Sequence, residues 1–260
     1  MNPTLDAKLA QKVESVLLTL LEATEMEGVK AWALQIAFTY ARECAPSANP
    51  KELWKFIESV YEGRLRDVFP AQVDPAQSFK RASGDAFEVF VQEYLNSNPR
   101  LQEEGIRAVR LRGQDFRNLV NRRNLRHAMS GRPLSPKDVD IFLQGIDANA
   151  TIHIFGAVFP KVSYAERIRA DEGASRALMS TRLLSGTVTL DARGELGTEE
   201  RPSIKRDTIN KGAFDGCYSF NRETTPGGRI HVVDPREKGL RNPLIHDVVH
   251  AWRRFQASTS

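Results

Sequence analysis

Asp140 and Lys161 are the residues whose types and spacing first suggest chemistry. Asp140 stands at the start of VDIFLQGI and Lys161 at the end of IHIFGAVFPK, with the polar stretch DANAT between them. Both segments are rich in β-branched and aromatic residues, so they are predicted to be antiparallel strands. The midpoint between residues 140 and 161 falls between Ala150 and Thr151, in the polar turn region. Equal hairpin arms therefore bring the carboxylate and the ammonium opposite one another at the open end. A bulge near Gly156 or Pro160 would shift that register by a residue. Such a pair suits metal-assisted phosphodiester hydrolysis. Hard oxygen ligands hold Mg²⁺, which polarises the phosphoryl oxygen and acidifies a water, while a lysine orients that water and stabilises charge on the phosphate. Glu88, on a preceding helix, can supply a second carboxylate, and Asp138 competes with Asp140 on the same strand face. The same two residues would also make an ordinary surface ion pair, and spacing alone does not separate the readings.

Just past the lysine, in FPKVSYAER, come Glu166 and Arg167. Arginine can donate two parallel bonds to guanine O6 and N7, and glutamate can accept from cytosine N4, so the pair could read G·C. Alternatively, it is simply the first turn of a helix. Arg107, Arg110, Arg112, Arg117, Arg122, Arg123, Arg126 and Arg132 fall in one segment in which Asp115 is almost the only acid. Arginine dominates where phosphate oxygens are gripped bidentately, although a solvated face is the plainer alternative.

Composition narrows the classes. The formal charge is +4 and the pI about 9.1, a weak pointer to nucleic acid. No apolar run of about 18 residues occurs, so no membrane span is predicted. The N-terminal stretch lacks a signal-peptide pattern, and Cys44 and Cys217 make neither a disulfide framework nor a metal cluster. A reducing, cytoplasmic setting follows. HDVVH places His246 and His250 on one helix face, as zinc ligands would be. With Asp247 in place of the usual glutamate, and Val248, Val249 and Trp252 nearby, a packed terminal helix is the preferred reading.

The elements that must position these residues can be read along the chain. Val13, Val16, Leu17, Leu20 and Leu21 recur at helical spacing, KAWALQIAFTYAREC continues as helix, and Asn49 and Pro50 open a third. FPAQVDPAQ, residues 69 to 77, reads as a linker, dividing a helical N-terminal domain (1–76) from a catalytic and DNA-recognition domain (77–260). SGDAFEVFVQEYLN is predicted to be a helix capped by Ser83. ERIRADEGASRALMSTRLLSGTV reads as helical, GELGTEERPSIKR as a polar loop, and CYSFN and RIHVV as strands. A central sheet flanked by helices results.

KVSYAER resembles the lysine and recognition motif of type II restriction endonucleases that cut CCGG-centred sites, the AgeI/BsaWI-like group in particular. SANPKELW, SGDAFEVF, DVDIFL, KVSYAERIRADEGAS, GELGTEERPS and CYSFN are similar to that group over most of the chain. The resemblance implies an α/β PD-(D/E)xK restriction-endonuclease-like core, a central mixed sheet flanked by helices. It implies Glu88, Asp140 and Lys161 as catalytic residues and Mg²⁺ held by Asp140, for which Glu172 is taken as the second ligand. Ser163, Glu166, Arg167 and Arg81 are the implied DNA contacts, Glu166 and Arg167 reading the central C and G. The implied substrate is double-stranded DNA at W/CCGGW or A/CCGGT, cut before the first C to leave 5′ phosphates and 5′ overhangs. A palindromic site further implies a homodimer or higher homo-oligomer, and a restriction system implies a cognate methyltransferase.

Two positions depart from the pattern. The acid that the wider superfamily carries two residues before the lysine is Phe159 here, and at the spacing of the relocated acid stands Ser175. Glu172, one helical turn earlier, or Glu88 can substitute. Arg81, Lys80, Lys205 and Arg206 are candidates for reading the flanking bases.

Overall fold

Residues 7–22, 27–68, 74–163 and 168–259 are described in the computed structural model. The chain divides into two compact units, Met1–Phe90 and Val91–Ser260.

The first unit contains α1 (Ala7–Glu22), α2 (Glu27–Cys44), α3 (Pro50–Val68) and the larger part of α4 (Pro75–Asn96). Val13, Leu17 and Leu21, four residues apart, form a fully buried stripe on α1. Asn49 caps α3 as expected, its Oδ1 accepting from the Lys51 N–H at 3.3 Å. An aromatic cluster fills this core: Phe38 meets Trp54 edge-on at 4.8 Å, and Phe79, Phe87 and Phe90 complete it. Helix α4 starts eight residues before the predicted Ser83 cap. Asp74 is the real cap, accepting from the N–H groups of Ala76 and Gln77, and Pro75 fits the first helical position. Ser83 lies inside the helix, its hydroxyl donating back to the Lys80 carbonyl.

The second unit is built on a sheet. After α5 (Pro99–Glu103) come β1 (Ile106–Val109), α6 (Gly113–Arg123), β2 (Ile141–Ile146), β3 (Ile152–Lys161), α7 (Ile168–Ser180) and β4 (Leu184–Thr189). Then follow α8 (Ile204–Thr208), β5 (Gly216–Ser219), β6 (Ile230–Val232) and α9 (Pro243–Thr259). Among the described residues the strands form one six-stranded sheet in sequence order, antiparallel from β1 to β3 and parallel from β3 to β6. This is the mixed sheet flanked by helices that the motifs imply.

Two parts of the sheet depart from expectation. Strand β1 lies within the arginine-rich segment, where no strand is predicted. Strand β4, LSGTVT, falls where helix is predicted. It is buried along its whole length, so alternation gives no signal, and its polar side chains are satisfied internally. Ser185 Oγ lies 2.6 Å from Ser175 Oγ, and the Thr187 hydroxyl donates to the Phe159 carbonyl at 3.0 Å.

The β2–β3 hairpin sets the position of the chemistry. Phe142 pairs with Ala157 and Ile141 with Val158, while Leu143 faces Gly156 and Gln144 faces Ile154. Phe155 is thus the extra residue of a bulge beside Gly156. The Phe142–Ala157 pairing puts Asp140 and Lys161 on the same face of the sheet, because side chains alternate along each strand. On that face α6 and α7 pack Phe116, Leu119, Ala174 and Leu178 against Phe142 and Phe159. Trp252 of α9 lies on Gly145, where any Cβ would sit 2.7 Å from the indole. No helix among the described residues is long and apolar enough to cross a membrane.

Candidate active site

The site is assembled where β3 ends and α7 begins. Lys161 Nζ donates to Asp140 Oδ2 at 2.7 Å and lies 3.4 Å from Asp171 Oδ2. All three side chains are largely withdrawn from solvent, at 12%, 17% and 16% exposure. Asp140 and Lys161 meet as expected, but not through equal hairpin arms: the register sets Asp140 level with Phe159, and Lys161 reaches it diagonally from two residues further on. Asp171 is the residue the sequence reading missed.

Its position follows from the path of the chain. Helix α7 folds back along the sheet after β3, so its first turn is nearest the strand tip. Ser175 faces inward, fully buried and bonded to Ser185. A carboxylate four residues earlier lies on the same helix face, one turn closer to the lysine. That residue is Asp171. Glu172, the expected metal ligand, is rotated onward along the helix and paired with Arg176 at 2.9 Å. The depth of α7 is fixed by its neighbour loop. The His127 ring occupies the space a Cβ on Gly173 would need, with ring atoms 2.1 to 2.6 Å from that position. The Ala128 N–H also donates to the Gly173 carbonyl at 3.0 Å.

Asp138, the competing candidate, is engaged elsewhere. It accepts from both Nη atoms of Arg132 at 2.6 and 2.7 Å, and from the N–H and hydroxyl of Ser135. Burial raises its carboxyl pKa, but these bonds outweigh burial and hold it at about 2.

A ligand set for a divalent ion can now be judged. Among the described residues no group of three or more His, Cys, Asp or Glu gathers for a metal. Asp140 and Asp171, gathered by one lysine, provide hard oxygens from two carboxylates. That is enough for Mg²⁺, which keeps several waters and takes substrate phosphate oxygens beside one or two carboxylates. Two carboxylates and one ammonium also leave a net negative charge, which suits a divalent cation.

The remaining expectations distribute as follows. Glu88 and Arg81 lie on α4 in the first unit, Glu88 half-buried and Arg81 exposed. Ser163 is half-buried two residues beyond the lysine, and Glu166 and Arg167 lie outside the described residues. Arg206 is only 1% exposed and turned onto backbone carbonyls, so it does not face a duplex, and Lys205 is paired with Glu195 at 2.7 Å. In the arginine-rich segment, Arg132 is committed to Asp138 and Arg123 lies over the Phe255 ring, whereas Arg112, Arg117 and Arg122 are exposed at α6. His246 and His250 stack 5.9 Å apart on α9, and Val248, Val249 and Trp252 are buried beneath them.

No protein-family model matches the chain. It is 39% identical over 212 residues to the type II restriction enzyme AgeI of Thalassovita gelatinovora, covering 75% of this chain and 72% of that one. Among solved structures it is similar to the specific AgeI–DNA complex, with a TM-score of 0.77 and 30% identity over 96% of this chain and 94% of that chain. The pre-specific BsaWI–DNA complex matches at a TM-score of 0.48 and 19% identity, over 94% and 92% of the two chains.

Proposed function

Because the chain belongs to the type II restriction enzymes, the family of its relative AgeI, we propose that it hydrolyses double-stranded DNA at a palindrome containing CCGG, with Mg²⁺ as its metal ion. The site is W/CCGGW or A/CCGGT, cut before the first C to give 5′ phosphates and 5′ overhangs. The observation that carries this reading is the meeting of Asp140, Lys161 and Asp171 at one strand tip.

Asp140 and Asp171 hold the ion. Bound there, Mg²⁺ supplies Lewis acidity toward a phosphoryl oxygen and lowers the pKa of a coordinated water. Lys161 keeps the carboxylates together, and its ammonium is placed to donate to a phosphate oxygen as charge develops there. Asp171 takes the role that the family pattern leads one to seek at Glu172. Glu88 keeps the catalytic role that the family resemblance assigns to it. Glu166 and Arg167 read the central C and G, Ser163 and Arg81 add DNA contacts, and exposed arginines of α6 grip phosphates.

Residues 77–260 carry catalysis and recognition, preceded by a helical N-terminal domain. Two copies act on the palindrome as a homodimer or within a larger homo-oligomer. The enzyme works in the cytoplasm beside a cognate methyltransferase. The test is to digest a plasmid of known sequence with Mg²⁺ and map the ends. Discrete fragments ending at CCGG sites are expected. Retarded but uncut DNA would mark a binding protein instead.

A further inference from the structure

Helix α9 carries two side chains that the cleavage chemistry does not use. His246 and His250 stand four residues apart on its outer face, while Val248, Val249 and Trp252 are buried on the inner one. Among the described residues these are the exposed histidines, since His127 is buried and His153 and His231 are half-buried. Their rings lie within 8° of parallel, with centres 5.9 Å apart. Imidazole binds a divalent transition ion through one ring nitrogen at about 2.0–2.1 Å. Two rings stacked one helical turn apart can therefore close on a single ion held between their edges.

A surface histidine pair binds an ion poorly when each ring must first be frozen in one tautomer and one orientation. Here one ring is already held. His246 Nδ1 lies 2.9 Å from Asp247 Oδ1. A carboxylate only accepts, so Nδ1 carries the proton and Nε2 keeps the lone pair that a metal needs. Asp247 is fixed in turn, because its Oδ2 accepts from the Tyr218 hydroxyl at 2.6 Å. Tyr218, on β5, is 1% exposed and closely walled. A Cβ on Gly216 would lie 2.6 Å from its hydroxyl oxygen and one on Gly186 3.0 Å from its ring, while His231 stacks on it at 5.6 Å. A carboxylate that accepts from the far nitrogen of an imidazole is the arrangement that orients metal-binding histidines and raises their basicity. The buried phenol anchors that arrangement to the sheet.

We propose that His246 and His250 form a binding site for a divalent transition ion of the Zn²⁺ class, with Asp247 and Tyr218 as its positioning residues. The site is separate from the cleavage centre. Tyr218 is level with Val188 and, through it, with Pro160, one residue from Lys161. Side chains alternate along a strand, so Tyr218 and the histidines it supports belong to the sheet face opposite Lys161. The two places also suit different ions. Neutral imidazole nitrogens favour Zn²⁺, Ni²⁺ or Cu²⁺, whereas Mg²⁺ takes oxygen ligands. Two protein ligands leave the other coordination positions to water. The inference does not rest on the proposed DNA cleavage.

The test is calorimetric titration of the full-length, tag-free chain with Zn²⁺, in excess Mg²⁺ so that carboxylate sites are already filled. It compares the wild type with His246→Gln, His250→Gln and Asp247→Asn, each checked for thermal unfolding. The wild type is expected to take up one Zn²⁺ per chain. Either histidine variant should lose that binding, and both are exposed positions where folding is not at stake. Asp247→Asn, which keeps both ligands, should bind about 10- to 100-fold more weakly. Zn²⁺ should also raise the unfolding temperature of the wild type and not that of His250→Gln. A wild type that binds no Zn²⁺, or a His250→Gln variant that binds it as tightly as the wild type, would overturn the proposal. Undiminished affinity in folded Asp247→Asn would remove the positioning role. If Asp247→Asn does not fold, Tyr218→Phe, which deletes only the hydroxyl, decides that role by the same measurement.

Discussion

The loop leading into β2 and the tip where β2 meets β3 each set an aspartate against a cation, and they use the pair in different ways. In the loop, Asp138 takes a bidentate grip from Arg132 and two more bonds from Ser135. Four donors are aimed at it, three of them at Oδ2, and its pKa stands at about 2. At the tip, one ammonium is shared between Asp140 and Asp171, at 2.7 and 3.4 Å. A planar fork matched to one carboxylate closes a structure. A point charge shared between two carboxylates gathers both acids at one place. On the proposed function, two acids with one residue between them thus serve as a brace and as a metal ligand, according to the cations the fold supplies.

The strongest way to break this comparison is to exchange the sensitivities of its halves. Asp140→Asn is expected to lower cleavage on the order of 10²–10³-fold, as for loss of one electrostatic partner of a transition state, while DNA binding measured by gel shift persists. Asp138→Asn is expected to leave the cleavage rate of folded enzyme near that of wild type. An inert Asp140→Asn together with a dead but folded Asp138→Asn would reverse the assignment.

A second experiment sharpens the tip itself. Asp171→Asn is expected to raise the Mg²⁺ concentration needed for half-maximal cleavage by about 10- to 100-fold, with Glu172→Gln near wild type. Glu88→Gln belongs in the same titration, since its role rests on family resemblance. A shift in Glu172→Gln without one in Asp171→Asn would restore the sequence-based choice.

The third concerns what holds Asp171 in place. Gly173→Ala puts a methyl group into the His127 ring, so α7 must shift and the Mg²⁺ requirement should rise. Adding His127→Ala vacates that space and should recover much of the loss. A double variant no better than Gly173→Ala would show that the contact does not set the site.

The smallest effect belongs to the brace. Asp138→Asn should cost about 1.5–3 kcal/mol, the range for hydrogen bonds to a charged group. Asp138 is depressed from 3.8 to about 2 in the folded state. Its stabilisation is therefore complete above pH 3.8 and lost as pH falls through about 2. Unfolding followed between pH 5 and 2 should show a steeper decline for wild type than for Asp138→Asn. Parallel curves would remove Asp138 as the source.

The sequence made the hairpin legible because β-branched and aromatic runs bracket a polar turn, but not its register: the one-residue bulge at Phe155 is what brings Asp140 and Lys161 onto one face. Asp171 was hidden by the family spacing, which leads to Ser175 and then to its acidic neighbour Glu172. The helix face alone could not separate the two, since residues 171 and 172 stand four and three before the inward-facing Ser175 and both border its face; the Arg176 that draws Glu172 aside was the usable signal. Strand β4 was hidden because a fully buried parallel strand containing Ser, Gly and Thr shows neither alternation nor an apolar run. The start of α4 was readable in retrospect, since Asp74 before Pro75 is a cap followed by a first-turn proline. The first unit was easier, because its helices carry regular apolar stripes such as Val13, Leu17 and Leu21.

The central claim is that Lys161, held between two carboxylates, drives phosphodiester cleavage. The direct measurement is single-turnover cleavage of an end-labelled duplex containing the CCGG site with Mg²⁺, for wild type and Lys161→Ala, alongside gel-shift binding to the same duplex in Ca²⁺. The account predicts a cut before the first C by wild type, and specific binding with no measurable cutting by Lys161→Ala. Cleavage by Lys161→Ala at the wild-type rate and position would contradict it.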